Sequence, residues 1–219
     1  MNQPVSSHLE LASNSTYLTE KALEALCSEA RESSLFGVCV PSSRVLLARE
    51  FLDSSPVKVV ALVGYPTGCT DPDVKRYETE VAIDHGAHEI DYVVDVSLLK
   101  DGHPERIRRE LRDAVEAADE RPLKAVFDIL TLSREEIEIA CGVLIETGVR
   151  FFSNSSGNFI SPVSPQDVLF IRERLIPAIG IKAVGNIHTE EAAQALIGAG
   201  ANRVGIAPGF PRDAATSRC

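Results

Sequence analysis

Short apolar runs alternate with amphipathic stretches along the whole chain. Leu9-Glu10-Leu11 is a weak first run, and those at 36–40, 57–63, 89–96, 123–129, from 151, 180–184 and 202–206 carry Val, Ile, Phe and other β-formers. Each is too short for a buried helix, so each predicts a strand. Between them the apolar residues recur at helical spacing. Helices are predicted over 19–31, 42–52, 73–85, 105–118, 133–147, 165–175 and 189–198. In the first, Leu23, Leu26, Cys27 and Ala30 share one face, and Thr19 is placed to cap it. Ser133 followed three residues later by Glu136 reads as a capping box. The segment Gly64-Tyr65-Pro66-Thr67-Gly68 is a turn-rich loop.

Eight strands with intervening helices, repeating about every 25 to 30 residues, imply a parallel sheet. The expected fold class is α/β, a (β/α)8 TIM barrel formed by one domain over 1–219. An open doubly wound sheet is the alternative, but it normally carries a glycine-rich phosphate loop after its first strand, and none is present.

Side chains alternate along a strand, which makes its charged residues informative. Glu89, Asp91, Val93 and Asp95 share one face of the fourth strand; Lys124, Val126 and Asp128 share one face of the fifth. Lys182 lies opposite Ile181 and Ala183 in the seventh. The apolar faces must pack under the helices, so the charges point into the barrel. Buried charges are rare unless paired. Two lysines and several carboxylates from separate strands therefore predict either a structural ion-pair cluster or an active site. The sixth strand runs into Ser153-Asn154-Ser155-Ser156-Gly157, which would deliver hydroxyls and backbone N–H groups to the barrel mouth. That polar strand end favours the active site.

Composition narrows the function. There are 22 Lys and Arg against 32 Asp and Glu, a formal net charge of -10, so nucleic acid is not an expected partner. No apolar run reaches membrane-spanning length, and the first residues lack the pattern of a secretion signal. The five cysteines are scattered without a C-x-x-C pair, as in a reducing cytoplasm. His85 and His88 form an H-x-x-H across a helix-to-strand turn, without the further ligands a zinc site needs. No metal and no cofactor are expected.

Several segments are similar to the deoxyribose-phosphate aldolase family. They are Val38-Cys39-Val40-Pro41, Gly64-Tyr65-Pro66-Thr67-Gly68, and 86–93. The others are Leu123-Lys124, Gly157, Gly180-Ile181-Lys182-Ala183-Val184-Gly185, and 198–205. The likeness spans about Leu9 to Gly209. It implies a (β/α)8 barrel, a cytoplasmic homodimer, and class I aldol cleavage of 2-deoxyribose 5-phosphate to acetaldehyde and glyceraldehyde 3-phosphate. Position by position, it implies that Asp91 is a proton-relay aspartate, that Lys182 is the second active-site lysine, and that Lys124 is a family lysine. Glu10 stands where the family usually has aspartate.

The departures fall in the site. The family pattern is a lysine followed by T-S-T-G; here Ser153 holds the place of the Schiff-base lysine. A hydroxyl cannot form an iminium with a carbonyl. The family's Gly-Gly after the seventh strand is Gly185-Asn186, followed by His188 where a basic residue is common. After the eighth strand, Gly205-Ile206-Ala207-Pro208 replaces a serine-bearing stretch, and Pro208 has no backbone N–H.

The expected catalytic groups are Asp91, Lys124 and Lys182. The expected ligand-binding groups are Glu10, Asp128, Ser153, Asn154, Ser155, Ser156, Gly185, Asn186 and Gly205. Three functions fit this set. One is acid–base chemistry on a small carbonyl or polyol compound without a Schiff base: aldol-type bond chemistry, dehydration or cyclisation. The second is an aldolase with its Schiff base moved to Lys182. The third is a silent binding or regulatory homologue.

Overall fold

The computed structural model describes residues 4–13, 17–157 and 162–210. Eight parallel strands close into a barrel in sequence order. They are β1 (Leu9–Ala12), β2 (Gly37–Pro41), β3 (Lys58–Val63), β4 (Glu89–Val93), β5 (Leu123–Val126), β6 (Phe151–Ser153), β7 (Gly180–Val184) and β8 (Arg203–Ile206). Closure comes from β1 pairing with β8, Glu10 opposite Gly205. The surrounding helices are α1 (Glu20–Glu32), α2 (Val45–Phe51), α3 (Pro72–Asp84), α4 (Ser97–Lys100), α5 (Pro104–Ala117), α6 (Arg134–Ile145), α7 (Pro165–Arg172) and α8 (Glu190–Gly198). No helix among the described residues is long and apolar enough to cross a membrane.

Local chemistry sets the helix boundaries. Thr19 caps α1 by accepting from the Ala22 amide, and Leu23, Leu26, Cys27 and Ala30 are its buried residues. Ser133 and Glu136 form the capping box of α6. The core lies between the helices and the outward faces of the strands, where Ile90, Tyr92, Ala125, Phe127, Phe152 and Ile181 are fully buried. Phe127 and Phe152 stack with ring centroids 5.1 Å apart.

Three expected elements are corrected. The fourth strand stops at Val93 rather than reaching 96, because Asp95 Oδ1 accepts from the Ser97 amide (3.0 Å) and hydroxyl (2.6 Å) and turns the chain into the short α4. Asp95 therefore faces this turn and not the barrel interior. The fifth strand ends at Val126, so Asp128 sits just beyond it, before a 3-10 turn. The helix expected over 42–52 begins as a 3-10 turn, Ser42–Arg44, before α2.

One buried charge pair lies outside the barrel and shapes its rim. Lys75, in α3, is fully buried and faces Glu110 of α5 at 2.5 Å. Its ammonium also donates to the carbonyls of Gly68 (2.7 Å) and Val93 (3.1 Å), so its three protons have three acceptors. The loop after β3 closes over this stem. Gly64 has φ +68°, and a Cβ there would lie 2.6 Å from Lys75 Cδ. Lys75→Met is expected to lower stability by roughly 3–5 kcal/mol, because Glu110 is left buried without a counter-charge. Urea unfolding checks this. A loss below about 1 kcal/mol would mean that the pair contributes no more than an exposed one does.

Candidate active site

Inward-facing strand residues build the site from the barrel floor upward. Arg203 opens β8 with its guanidinium 3.6 Å from the centroid of Phe36 and 5.6 Å from that of Phe151. Above this stack Lys124 reaches three carboxylates: Glu89 at 2.6 Å, Asp91 at 2.9 Å and Glu10 at 3.4 Å. Lys182 contacts the other oxygen of Asp91 and lies 2.5 Å from Glu10. Arg203 completes the group, 3.7 Å from Glu10 and 3.9 Å from Glu89. Three cations thus meet three carboxylates, with a net charge of zero, and all but Arg203 are buried.

This balance fixes the protonation states. Burial alone would raise the Asp91 carboxyl, but the ammonium charges of Lys124 and Lys182 hold it down at about 2. Burial works against the charge on Lys182, yet Asp91 and Glu10 outweigh it and hold its ammonium well above the ordinary lysine range. Lys124 moves up for the same reason, with Asp91, Glu10 and Glu89 around it. Cys39 adds a thiol to the cluster, donating to Asp91 Oδ2 at 3.4 Å and lying 3.9 Å from Lys182 Nζ. Burial pushes that thiol far up, so it stays protonated.

A cavity of about 80 Å³ opens from this cluster to the C-terminal ends of the strands. Asp91, Lys182 and Cys39 face it from below. Its walls include Tyr65, Ser155, Ser156, Gly185, Asn186, His188, Gly205 and Ala207. Of the expected site residues, Asp91, Lys182, Ser155, Ser156, Gly185, Asn186 and Gly205 come together on this cavity.

Five others do not line it. Lys124 and Glu10 belong to the ionic layer beneath. Ser153 is fully buried, its hydroxyl 3.4 Å from the Ser155 carbonyl. Asn154 pairs edge to edge with the backbone of Val184, donating to its carbonyl (2.8 Å) and accepting from its amide (2.7 Å). It extends the β6–β7 seam by one side chain. Asp128 accepts from the hydroxyls of Ser155 (3.1 Å) and Ser156 (3.2 Å) and from the Ser156 amide (2.9 Å), so it orders the loop rather than facing the cavity.

Sequence reasoning passed over Arg203, Cys39 and Tyr65. Alternation along β8 and β2 would have turned Arg203 and Cys39 inward. Tyr65 lay in a loop that carried part of the family likeness but read as a turn, with no site role given to it. His85 and His88 lie before and at the start of β4, at the opposite end of the barrel from the cavity. Among the described residues no group of three or more His, Cys, Asp or Glu side chains is arranged to hold a metal ion.

The geometry has known counterparts. No family model matches the chain. A deoxyribose-phosphate aldolase from Exiguobacterium sibiricum is 39% identical over 189 residues, covering 86% of each chain. The chain belongs to the deoxyribose-phosphate aldolase family. The solved structure of the aldolase QR15 superposes with a TM-score of 0.87 at 29% identity, over 92% of this chain and 90% of that one. The deoxyribose phosphate aldolase from Aeropyrum pernix, described as tetrameric, has the same fold (TM-score 0.85, 22% identity, 92% and 86% covered). The relatives are aldolases, so this family member stands among lyases built on a (β/α)8 barrel.

Proposed function

We propose that the protein is a diverged enzyme of the aldolase family that works without a Schiff base. Its Asp91–Lys182 pair performs acid–base chemistry on a small carbonyl or polyol compound. One observation carries the reading: the only lysine on the cavity wall, among the described residues, is clamped between Asp91 and Glu10, while Ser153 stands at the family's imine position. An imine needs a neutral amine, and two carboxylates oppose one. The charged amine instead stabilises negative charge building on a carbonyl oxygen. As that charge develops, a proton passes from Lys182 to the oxygen, and the amine so exposed is the base for the next proton. Asp91 and Glu10 hold the amine in place, and Lys124 holds Asp91.

The mouth favours a ligand without phosphate. Gly185, Asn186, Gly205 and Ala207 line it, and the first turn of α8, just beyond His188, carries Glu190 and Glu191. Two carboxylates there already complement the helix dipole and repel an anion. For the assembly we propose the homodimer that the family resemblance implies; sedimentation distinguishes it from a tetramer.

The test is borohydride reduction with 2-deoxyribose 5-phosphate or unphosphorylated 2-deoxyribose, followed by mass spectrometry, alongside a cleavage assay. No adduct is expected, and cleavage of the phosphorylated sugar is expected far below the common range of about 1 to 1000 per second. An adduct mapped to Lys182 would promote the relocated Schiff base. Calorimetric preference for the phosphorylated sugar would overturn the reading of the mouth.

A further inference from the structure

The serine hydroxyls that the sequence offers at the mouth are already engaged inside the protein. Ser153 faces the Ser155 carbonyl, and both Ser155 and Ser156 donate to Asp128. Tyr65 differs. The residue lines the cavity and is 38% exposed, and its phenol makes no hydrogen bond to any described residue.

The backbone that carries Tyr65 is held from both sides. The Gly64 amide donates to Glu78 Oε2 at 2.9 Å, and Glu78 Oε1 is fixed by the Ser42 hydroxyl at 2.5 Å. The Gly68 amide donates to the Gly64 carbonyl at 2.8 Å, and the buried Lys75 holds the Gly68 carbonyl at 2.7 Å. At Gly68, with φ +75°, a Cβ would lie 2.5 Å from the Val94 carbonyl, so the loop lies directly on the end of β4. A side chain on such a loop is presented at a fixed place rather than swept through solvent. Burial and the Asp128 carboxylate push the phenol up from its usual range, so it keeps its proton at neutral pH and acts as a donor.

We propose that Tyr65 reads a hydroxyl of the ligand, its phenol donating to an oxygen of a small hydroxylated carbonyl compound whose carbonyl lies on Lys182. The proposal rests on the acid–base reading of the cavity given above. It divides the work within one cavity. The ammonium below meets the reacting oxygen, and the phenol on the rim meets an oxygen that does not react. Discrimination of this kind arises because a ligand without that hydroxyl would cover the phenol without supplying it an acceptor.

Two five-carbon probes test it: 2-deoxyribose, which carries hydroxyls, and pentanal, which has an aldehyde and none. Saturation-transfer NMR measures the affinity of each for the native protein and for Tyr65→Phe, a change that keeps the ring. The expected result is that Tyr65→Phe binds 2-deoxyribose about 3- to 10-fold more weakly, the loss of one hydrogen bond, with pentanal unchanged. Equal affinity of both proteins for 2-deoxyribose would overturn the role of Tyr65 and leave the acid–base reading intact. Equal weakening for both probes would assign Tyr65 to packing and also overturn its role. If the native protein binds neither probe up to its solubility limit, the carbonyl-pocket reading fails, and the Tyr65 proposal fails with it.

Discussion

Lys182→Met is expected to abolish turnover and to lower stability by roughly 3–5 kcal/mol while leaving the barrel folded. The side chain is 3% exposed and touches Asp91 and Glu10. Methionine is unbranched and only one heavy atom shorter, so no large cavity opens. The cost is electrostatic: Lys124 and Arg203 are left to balance three carboxylates, and the buried layer carries one net negative charge. Urea unfolding measures the stability, and a panel of aldehydes, ketones and sugars measures the turnover. A second variant separates charge from chemistry. Lys182→Arg keeps the positive charge but cannot release a proton near neutral pH, so it should recover stability without recovering turnover. An active Lys182→Met protein, or an active Lys182→Arg protein, would remove Lys182 from the proton path.

Asp91→Asn is expected to cost as much stability at neutral pH and also to change the shape of the acid limb. Asparagine removes the one carboxylate shared by Lys124 and Lys182, leaving a net positive layer with a penalty of roughly 3–5 kcal/mol. In the folded protein the Asp91 carboxyl titrates at about 2, below its ordinary 3.8. Its contribution is therefore complete above about pH 4 and is lost as the pH falls through about 2. The stability gap between native and variant proteins should therefore narrow as the pH falls from neutral toward 2. Urea midpoints across this range decide it. A gap that stays constant would show that Asp91 is not ionised by its lysine neighbours in the native protein.

Much of this site can be read from the chain because charge in an apolar strand has few places to go. The alternation around Ile90, Tyr92, Ala125, Ile181 and Ala183 turned Glu89, Asp91, Lys124 and Lys182 inward, and the structure brings all four into one layer. Helix starts were legible at Thr19 and Ser133 because a cap is a local hydrogen bond. What was not legible depended on partners far along the chain. Asn154 looked like a ligand group until the Val184 backbone, 30 residues on, claimed both ends of its amide. Asp128 drew in Ser155 and Ser156 from 27 and 28 residues away. Cys39 resembled core because a thiol among valines carries no formal charge. Asp95 kept the strand period but met a Ser97 amide two residues on, a competitor that periodicity does not weigh.

The neutral ionic layer also limits what can happen above it. Beneath the layer Arg203 packs against Phe36 and Phe151, while the cavity opens on the other side, at the mouth. A cycle that ended with one proton fewer would leave an unbalanced charge inside the barrel, and the next ligand would meet a different protein. Each turnover must then restore the hydrogens it borrows. Transformations that relocate a hydrogen within one molecule, or split a molecule while returning the hydrogen to one fragment, meet that condition unaided. Those that release or consume acid require an open path from the mouth in every cycle.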